Sequence, residues 1–232
     1  MKKIQLFLKD NALSIFSFLA MAGIVALIII QGPVKKELGV FDNGSPQATP
    51  ENSASSQTKT PNVSGWQFMG SADAKVVFVE YGDFNCGYCR KFAQETFPKI
   101  KEKYIDTGRV KFVWKDYVIF GDNSLALAQA IHCAGDQGKY FEMHDKIFAN
   151  TIQGLPTDTL TLTLAQSLNL NISEFNNCLT TGKYVSKVEQ STQEAINFGF
   201  GGTPTSVING RVINGARPLA DFEAAIEAAL NE

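Results

Sequence analysis

Two of the four cysteines in this 232-residue chain, Cys86 and Cys89, stand three residues apart as Cys-Gly-Tyr-Cys. That spacing puts both thiols on one side of a helical turn, where they can close a small disulfide ring and exchange it with other thiols. The segment 75–81 (KVVFVEY) just before them is a short β-branched run and reads as a strand covered on both faces. The pair therefore opens a helix directly after a strand. A helix N-terminus offers unpaired N–H groups and the positive end of the macrodipole, both of which stabilise a thiolate. Cys86 is the expected nucleophile, with a pKa of roughly 3.5 to 7, and the more buried Cys89 is the resolving thiol. Arg90 and Lys91 are expected to favour the thiolate, Asp83 and Glu80 to oppose it. Half of a zinc site is a competing reading, but only His132, His144, Cys133 and Cys178 could complete it and there is no second Cys-x-x-Cys. No metal is expected. A merely structural local disulfide stays open as the other alternative.

The elements that must hold this pair follow from periodicity. Phe92, Phe97, Ile100 and Tyr104 continue the helix at roughly helical spacing through Pro98, which should kink it. Residues 109–118 (RVKFVWKDYV) alternate apolar and polar and predict a second strand. Helices are expected over 124–134, 139–150, 159–168, 173–179 and 185–198, with Ser173 a candidate N-cap and Asp122, Asn123 and Ser124 candidates for the first of them. The run TSVING-RVINGA, with its Asn209-Gly210 turn, is a hairpin signal, and residues 218–230 close the chain as a helix. This order implies a mixed α/β sheet carrying an all-helical block. His132 and His144 have no ligand-spaced partner and read as structural or surface residues. Phe92, Phe97, Phe141 and Phe148 read as core.

Residues 11–30 (NALSIFSFLAMAGIVALIII) carry no charge and as a helix span about 30 Å, enough to cross a bilayer. Ala20-Met21-Ala22 resembles a signal-peptide cleavage site, but cutting there would leave GIVALIII on the mature chain. The expectation is an uncleaved signal anchor over 11–31, with residues 1–10 in the cytoplasm; Lys2, Lys3 and Lys9 favour that orientation only mildly, because Lys35 and Lys36 follow the span. Residues 32–61, with Pro33, Pro46, Pro50 and Pro61 among small polar residues, read as a disordered linker. The remaining domain covers 62–232, its helical insertion about 121–198. At 44% hydrophobic and 19% charged residues the chain is globular overall. A net charge of −2 leaves no basic stripe for phosphate, which argues against a nucleic-acid partner.

The order strand, Glu80, five residues, Cys-x-x-Cys, helix, then a helical insertion and Gly202-Thr203-Pro204 before a strand resembles the DsbA branch of the thioredoxin superfamily over roughly residues 66–232. The resemblance implies a thioredoxin-like α/β fold with a helical insertion domain. It implies a cis Pro204 beside the cysteines, its loop with Thr203 offering backbone groups to an extended substrate; read from the residues alone, 201–204 is equally an ordinary turn with a trans proline. Glu80 matches an acid that lies beneath the cysteines and assists proton transfer, the alternative being a solvent-exposed carboxylate at a strand end. Gly87 and Tyr88 depart from the Pro-His and Gly-Pro dipeptides familiar in the superfamily and bear on the redox potential. Cys133 and Cys178 match positions that are bridged in a subset of DsbA-like proteins; the alternative is two separately buried small apolar residues.

The function implied is a membrane-anchored, extracytoplasmic oxidoreductase that introduces disulfides into unfolded or partly folded secreted proteins and is reoxidised by a quinone-linked membrane oxidase, with no bound cofactor. A disulfide reductase or isomerase would carry the same residues. A tethered thioredoxin-like binding protein with an inert disulfide is the alternative from a different class.

Overall fold

The computed structural model describes residues 59–150 and 157–232. The expected anchor, the cytoplasmic N-terminus and the linker up to residue 58 lie outside the described residues. Among the described residues no helix is long and apolar enough to cross a membrane.

Four strands form one sheet in the order β2-β1-β3-β4: β1 (Val76–Gly82), β2 (Val110–Asp116), β3 (Thr205–Ile208) and β4 (Arg211–Asn214). β1 runs parallel to β2 and antiparallel to β3. A parallel pair needs a helical crossover, and the segment opened by the cysteines supplies it. It consists of α1 (Gly87–Lys91), a π-helical turn (Phe92–Thr96), α2 (Phe97–Ile100) and a second π-helical turn (Lys101–Ile105). Pro98, expected to kink this helix, is instead preceded by the first π turn, in which the Phe97 N–H reaches back five residues to the Phe92 carbonyl. Proline has no N–H to give and its ring presses on the carbonyl four residues back, so a locally widened turn accommodates it.

The alternation read in β2 does not correspond to a half-exposed strand. Lys115 and Asp116 are both buried. Water is kept from the outer side of β2 by residues 62–69, where Met69 and Phe112 exchange two backbone hydrogen bonds of 2.9 Å. Each buried charge then finds a partner, as burial requires. Lys115 pairs with Glu194 and its Nζ donates to the Asn62 carbonyl at 3.0 Å. Asp116 accepts from Trp114 Nε1 at 3.2 Å and meets His132 Nε2 at 2.8 Å. His132 and His144 are buried structural residues, His132 stacked on Tyr184 and His144 edge-to-face with Trp114.

The insertion holds α3 (Asp122–Gly135), α4 (Tyr140–Ala149), α5 (Thr157–Ser167), α6 (Ile172–Thr180) and α7 (Val185–Asn197). The cap of α6 is Asn171 rather than Ser173: its side chain accepts from the N–H groups of Ser173 and Glu174. α3 is capped by Gly121, whose φ of 80° excludes most side chains and which has none of its own to cap the helix; Ser124, one of the expected caps, lies inside the first turn and its hydroxyl donates to Asp83. Cys133 on α3 and Cys178 on α6 are joined by a disulfide, with Cα atoms 5.8 Å apart. In the hairpin, Asn209 and Gly210 have φ of 44° and 90°, the two positive values a type I′ turn demands. α8 (Leu219–Asn231) follows Pro218.

Alternate residues of β1 face opposite ways. Phe78 packs with Phe92, Phe112 and Phe222 under the crossover helix, while Val79 and Tyr81 pack with Val113, Phe200 and Ala195. The end of the expected linker lies against the sheet, the Lys59 N–H donating to the Gly210 carbonyl at 3.3 Å.

Candidate active site

Cys86 is the N-cap of α1, in an extended conformation (φ −76°, ψ 119°), and its carbonyl accepts the first helical hydrogen bond from Arg90. Its own N–H donates to the Asp83 carbonyl at 3.0 Å. Both Cys86 and Cys89 are free thiols, with Cys89 completely buried one turn further on. The loop before β3 crosses directly over the first sulfur. Its Thr203–Pro204 peptide bond is cis, and Cys86 Sγ donates to the Thr203 carbonyl at 3.3 Å. Gly87 and Tyr88 lie between the thiols; nothing occupies the space where a side chain on Gly87 would stand, and the Tyr88 ring is exposed.

The two sulfurs are electrostatically unequal. A hydrogen bond from the Cys89 thiol lowers the Cys86 pKa to about 5, working against burial, with further help from Thr203 and from the N–H groups of Cys89 and Tyr88. Burial pushes the Cys89 thiol well up, and the hydrogen bond it gives Cys86 and the charge of Glu80 push the same way. Glu80 is itself buried, on the same face of β1 as Phe78 and opposite Trp114 of β2 and Ser206 of β3. Burial, and then the negative charge of Cys86, hold its carboxyl well above the usual carboxylate range. The site thus combines one stabilised thiolate, one reluctant thiol and one buried acid.

Two sequence expectations about charge are corrected here. Arg90 does not serve the sulfur: its guanidinium donates to the carbonyls of Phe148 and Asn150 at 3.1 and 3.2 Å, tying α1 to the end of α4. Asp83 does not act on Cys86 as a bare negative charge. Its buried carboxylate accepts from the Asn85 N–H at 2.8 Å and the Ser124 hydroxyl at 2.6 Å on one oxygen, and from the N–H groups of Ile119 and Phe120 at 2.8 and 3.1 Å on the other. Sequence reasoning missed this role, although an aspartate two residues before Asn85 at a strand end is a signature of a local side-chain turn. It also missed Glu194, which accepts from the Tyr81 hydroxyl and the Asn62 N–H, because that pairing spans the length of the domain. Cys133 and Cys178 take no part in the site. Among the described residues no group of three or more His, Cys, Asp and Glu side chains is placed to hold a metal ion.

Residues 63–228 match the family model described as Thioredoxin. The chain belongs to the thioredoxin family, within its DsbA-like thiol–disulfide oxidoreductases. This DsbA-like protein is 30% identical over 176 residues to disulfide bond formation protein D of Bacillus subtilis, covering 73% of this chain and 79% of the relative. The crystal structure of oxidised BdbD from Bacillus subtilis superposes with a TM-score of 0.70 at 28% identity, covering 75% of this chain and 98% of that one. It is also 31% identical over 162 residues to Na(+)/H(+) antiporter NhaA 1 of Salinispora arenicola, a match covering 69% of this chain. The DsbA-like chain spans only about a quarter of that antiporter's length, 24%, so transport is not carried across.

Proposed function

We propose that this DsbA-like protein is a membrane-anchored disulfide donor working outside the cytoplasm. The observation that carries the reading is the inequality of its thiols, a Cys86 pKa lowered to about 5 beside a Cys89 thiol pushed well up. A disulfide whose reduced form is stabilised as a thiolate is a strong oxidant. The same inequality argues against an inert scaffold, while a reductase would share it and differ in its potential.

In the forward reaction a substrate thiolate attacks Cys86 Sγ, forming a mixed disulfide and breaking the Cys86–Cys89 bond. Cys89 leaves with the electron pair and takes a proton, which the buried acid Glu80, whose charge is felt at Cys89, would supply. A second substrate thiolate then attacks the substrate sulfur and expels Cys86 as its stabilised thiolate. Two electrons have passed to the protein, and the substrate has gained one disulfide. Thr203 and Pro204 line the path of the attacking chain, where the Thr203 carbonyl now meets Cys86. Gly87 and Tyr88 set the surroundings of the first sulfur.

Clients would be secreted proteins with free cysteines; the Bacillus subtilis relative is a disulfide bond formation protein. Reoxidation would fall to a quinone-linked oxidase in the membrane, and residues 11–31 would hold the enzyme beside it, facing a compartment that permits disulfides. Equilibrating the full chain with glutathione buffers tests the direction: a potential more oxidising than thioredoxin's, about −270 mV, is expected. A thioredoxin-like potential with efficient insulin reduction would make it a reductase. Protease applied to intact spheroplasts should cut within 32–61 and release the domain; complete protection would overturn the topology.

A further inference from the structure

The donor role leaves open what holds the rim of the site, and one buried carboxylate answers it. Asp83 receives four hydrogen bonds, all between 2.6 and 3.1 Å, from the cysteine loop, from the loop after β2 and from the first turn of α3. On the cysteine side lies Asn85, whose amide also donates to the Ser124 hydroxyl at 2.8 Å. On the other side lie Ile119 and Phe120, which lead from β2 into the helical insertion. The carbonyl of the same aspartate accepts the Cys86 N–H. A single residue therefore ties the nucleophile's loop to the insertion's entry loop.

The tied loop carries unusual cargo. Ile119 and Phe120 are 44% and 54% exposed, and Tyr88, between the cysteines, is 69% exposed. They are three of the five large apolar side chains found exposed among the described residues. About half of each of these two side chains is left in water, so packing alone holds the loop weakly and its backbone bonds matter more. Here that backbone is held by two N–H groups on one carboxylate oxygen. We propose that Asp83 is a positioning residue which holds Ile119 and Phe120 as an apolar wall beside Cys86, selecting substrate segments whose cysteine is flanked by large apolar side chains.

The proposal rests on the oxidoreductase reading and deepens it. An Asp83→Ala variant removes both carboxylate oxygens at once, and with them the shared acceptor of Ile119 and Phe120 on one side and of Asn85 and Ser124 on the other.

The test uses the full chain in its oxidised form and two reduced dithiol peptides of equal length, one with Phe and Leu flanking the cysteines and one with Ser and Gly. Reduced glutathione is a third thiol donor. The readout is the ratio of the two peptides' second-order rates, which cancels any general loss of active protein. Burying one or two apolar side chains against the wall should favour the apolar peptide by about tenfold in the native protein. An Ile119→Ser/Phe120→Ser double variant should bring the ratio to about one, and Asp83→Ala should lower it at least about threefold, with faster hydrogen exchange at the 119 and 120 amides. A native ratio near one overturns the wall. An unchanged ratio in Asp83→Ala, or equal slowing of both peptides, overturns the clamp. Should Asp83→Ala fail to fold, a double variant that keeps the native ratio still overturns the proposal. Failure of the oxidoreductase reading looks different: the native protein would then oxidise neither peptide nor glutathione.

Discussion

Cys86 lies at the open end of a helix with backbone donors turned toward it and a carbonyl from a distant loop across its sulfur. Cys133 and Cys178 lie within α3 and α6, bonded to one another where two helices pack. The charges around the two pairs have opposite sense. Around the first sulfur the hydrogen bond from Cys89 and the N–H groups of Cys89 and Tyr88 outweigh burial and favour a thiolate. Cys178 instead has the Asp136 carboxylate 3.8 Å away, and against its burial Lys183 and Tyr184 hold that carboxyl below the usual range, keeping it an anion. An incoming thiolate is drawn to one pair and repelled from the other. Cysteine chemistry in this chain is thus decided by which backbone and side-chain groups the fold aims at each sulfur.

The sharpest way to break the comparison is to remove each pair in turn. Cys86→Ser should abolish oxidation of a reduced dithiol peptide, a loss of at least about a thousandfold. A Cys133→Ala/Cys178→Ala variant should keep the reaction within a few-fold of native, yet lose about 4 kcal/mol or less of unfolding free energy in a urea titration, the upper figure for a loop of 45 residues. Comparable losses of activity in both would show that the pairs are not distinct in role.

The pH dependence of stability sharpens the same contrast. Lowering a thiol's pKa in the folded state stabilises the folded protein fully above the ordinary thiol value of 9.0 and progressively less as pH falls to about 5. Reduced protein should therefore gain stability relative to oxidised protein as pH rises from 5 to 9. Parallel urea titrations of the two forms across that range measure it, and parallel curves would mean Cys86 is an ordinary thiol.

A smaller effect separates the sources of Cys86 acidity. Cys89→Ala deletes the first of the groups that lower it and should raise the midpoint of thiolate absorbance near 240 nm by about 1–2 pH units, whereas Cys89→Ser keeps a donor and should move it less. Identical midpoints would assign the acidity to the helix terminus alone. On the inert side, Asn171→Ala should cost about 1 kcal/mol by uncapping α6 without altering that midpoint.

These contrasts follow closely what was legible in the chain. Local signals were readable: a β-branched run ending at a Cys-x-x-Cys, the Asn209-Gly210 turn, and the spacing of the five insertion helices. Signals needing a distant partner were not. Lys115 and Asp116 read only as polar positions in an alternating strand, because nothing near them in sequence announces that Glu194 and His132 will meet them in the interior. Ser173 looked like a cap because it heads the apolar pattern, but Asn171, two residues earlier, is better placed to reach the free N–H groups. At the site, the positions of the sulfurs were legible, but Asp83 was read as a charge when its geometry makes it an acceptor for two loops.

The two-bond bridge between Met69 and Phe112 has a consequence for coexistence with clients. A sheet margin with unpaired amides is a template onto which any extended chain can add itself as a further strand. A disulfide donor acting on incompletely folded chains, as proposed above, would meet such segments continually. In this fold the long outer strand is closed at its middle by the chain's own segment, and the opposite margin is only four residues long, with Arg211 and Asn214 exposed at its ends. Short and charged margins resist strand addition. The architecture therefore favours release: a client can be held by its sulfur, without the sheet becoming a nucleus for its aggregation.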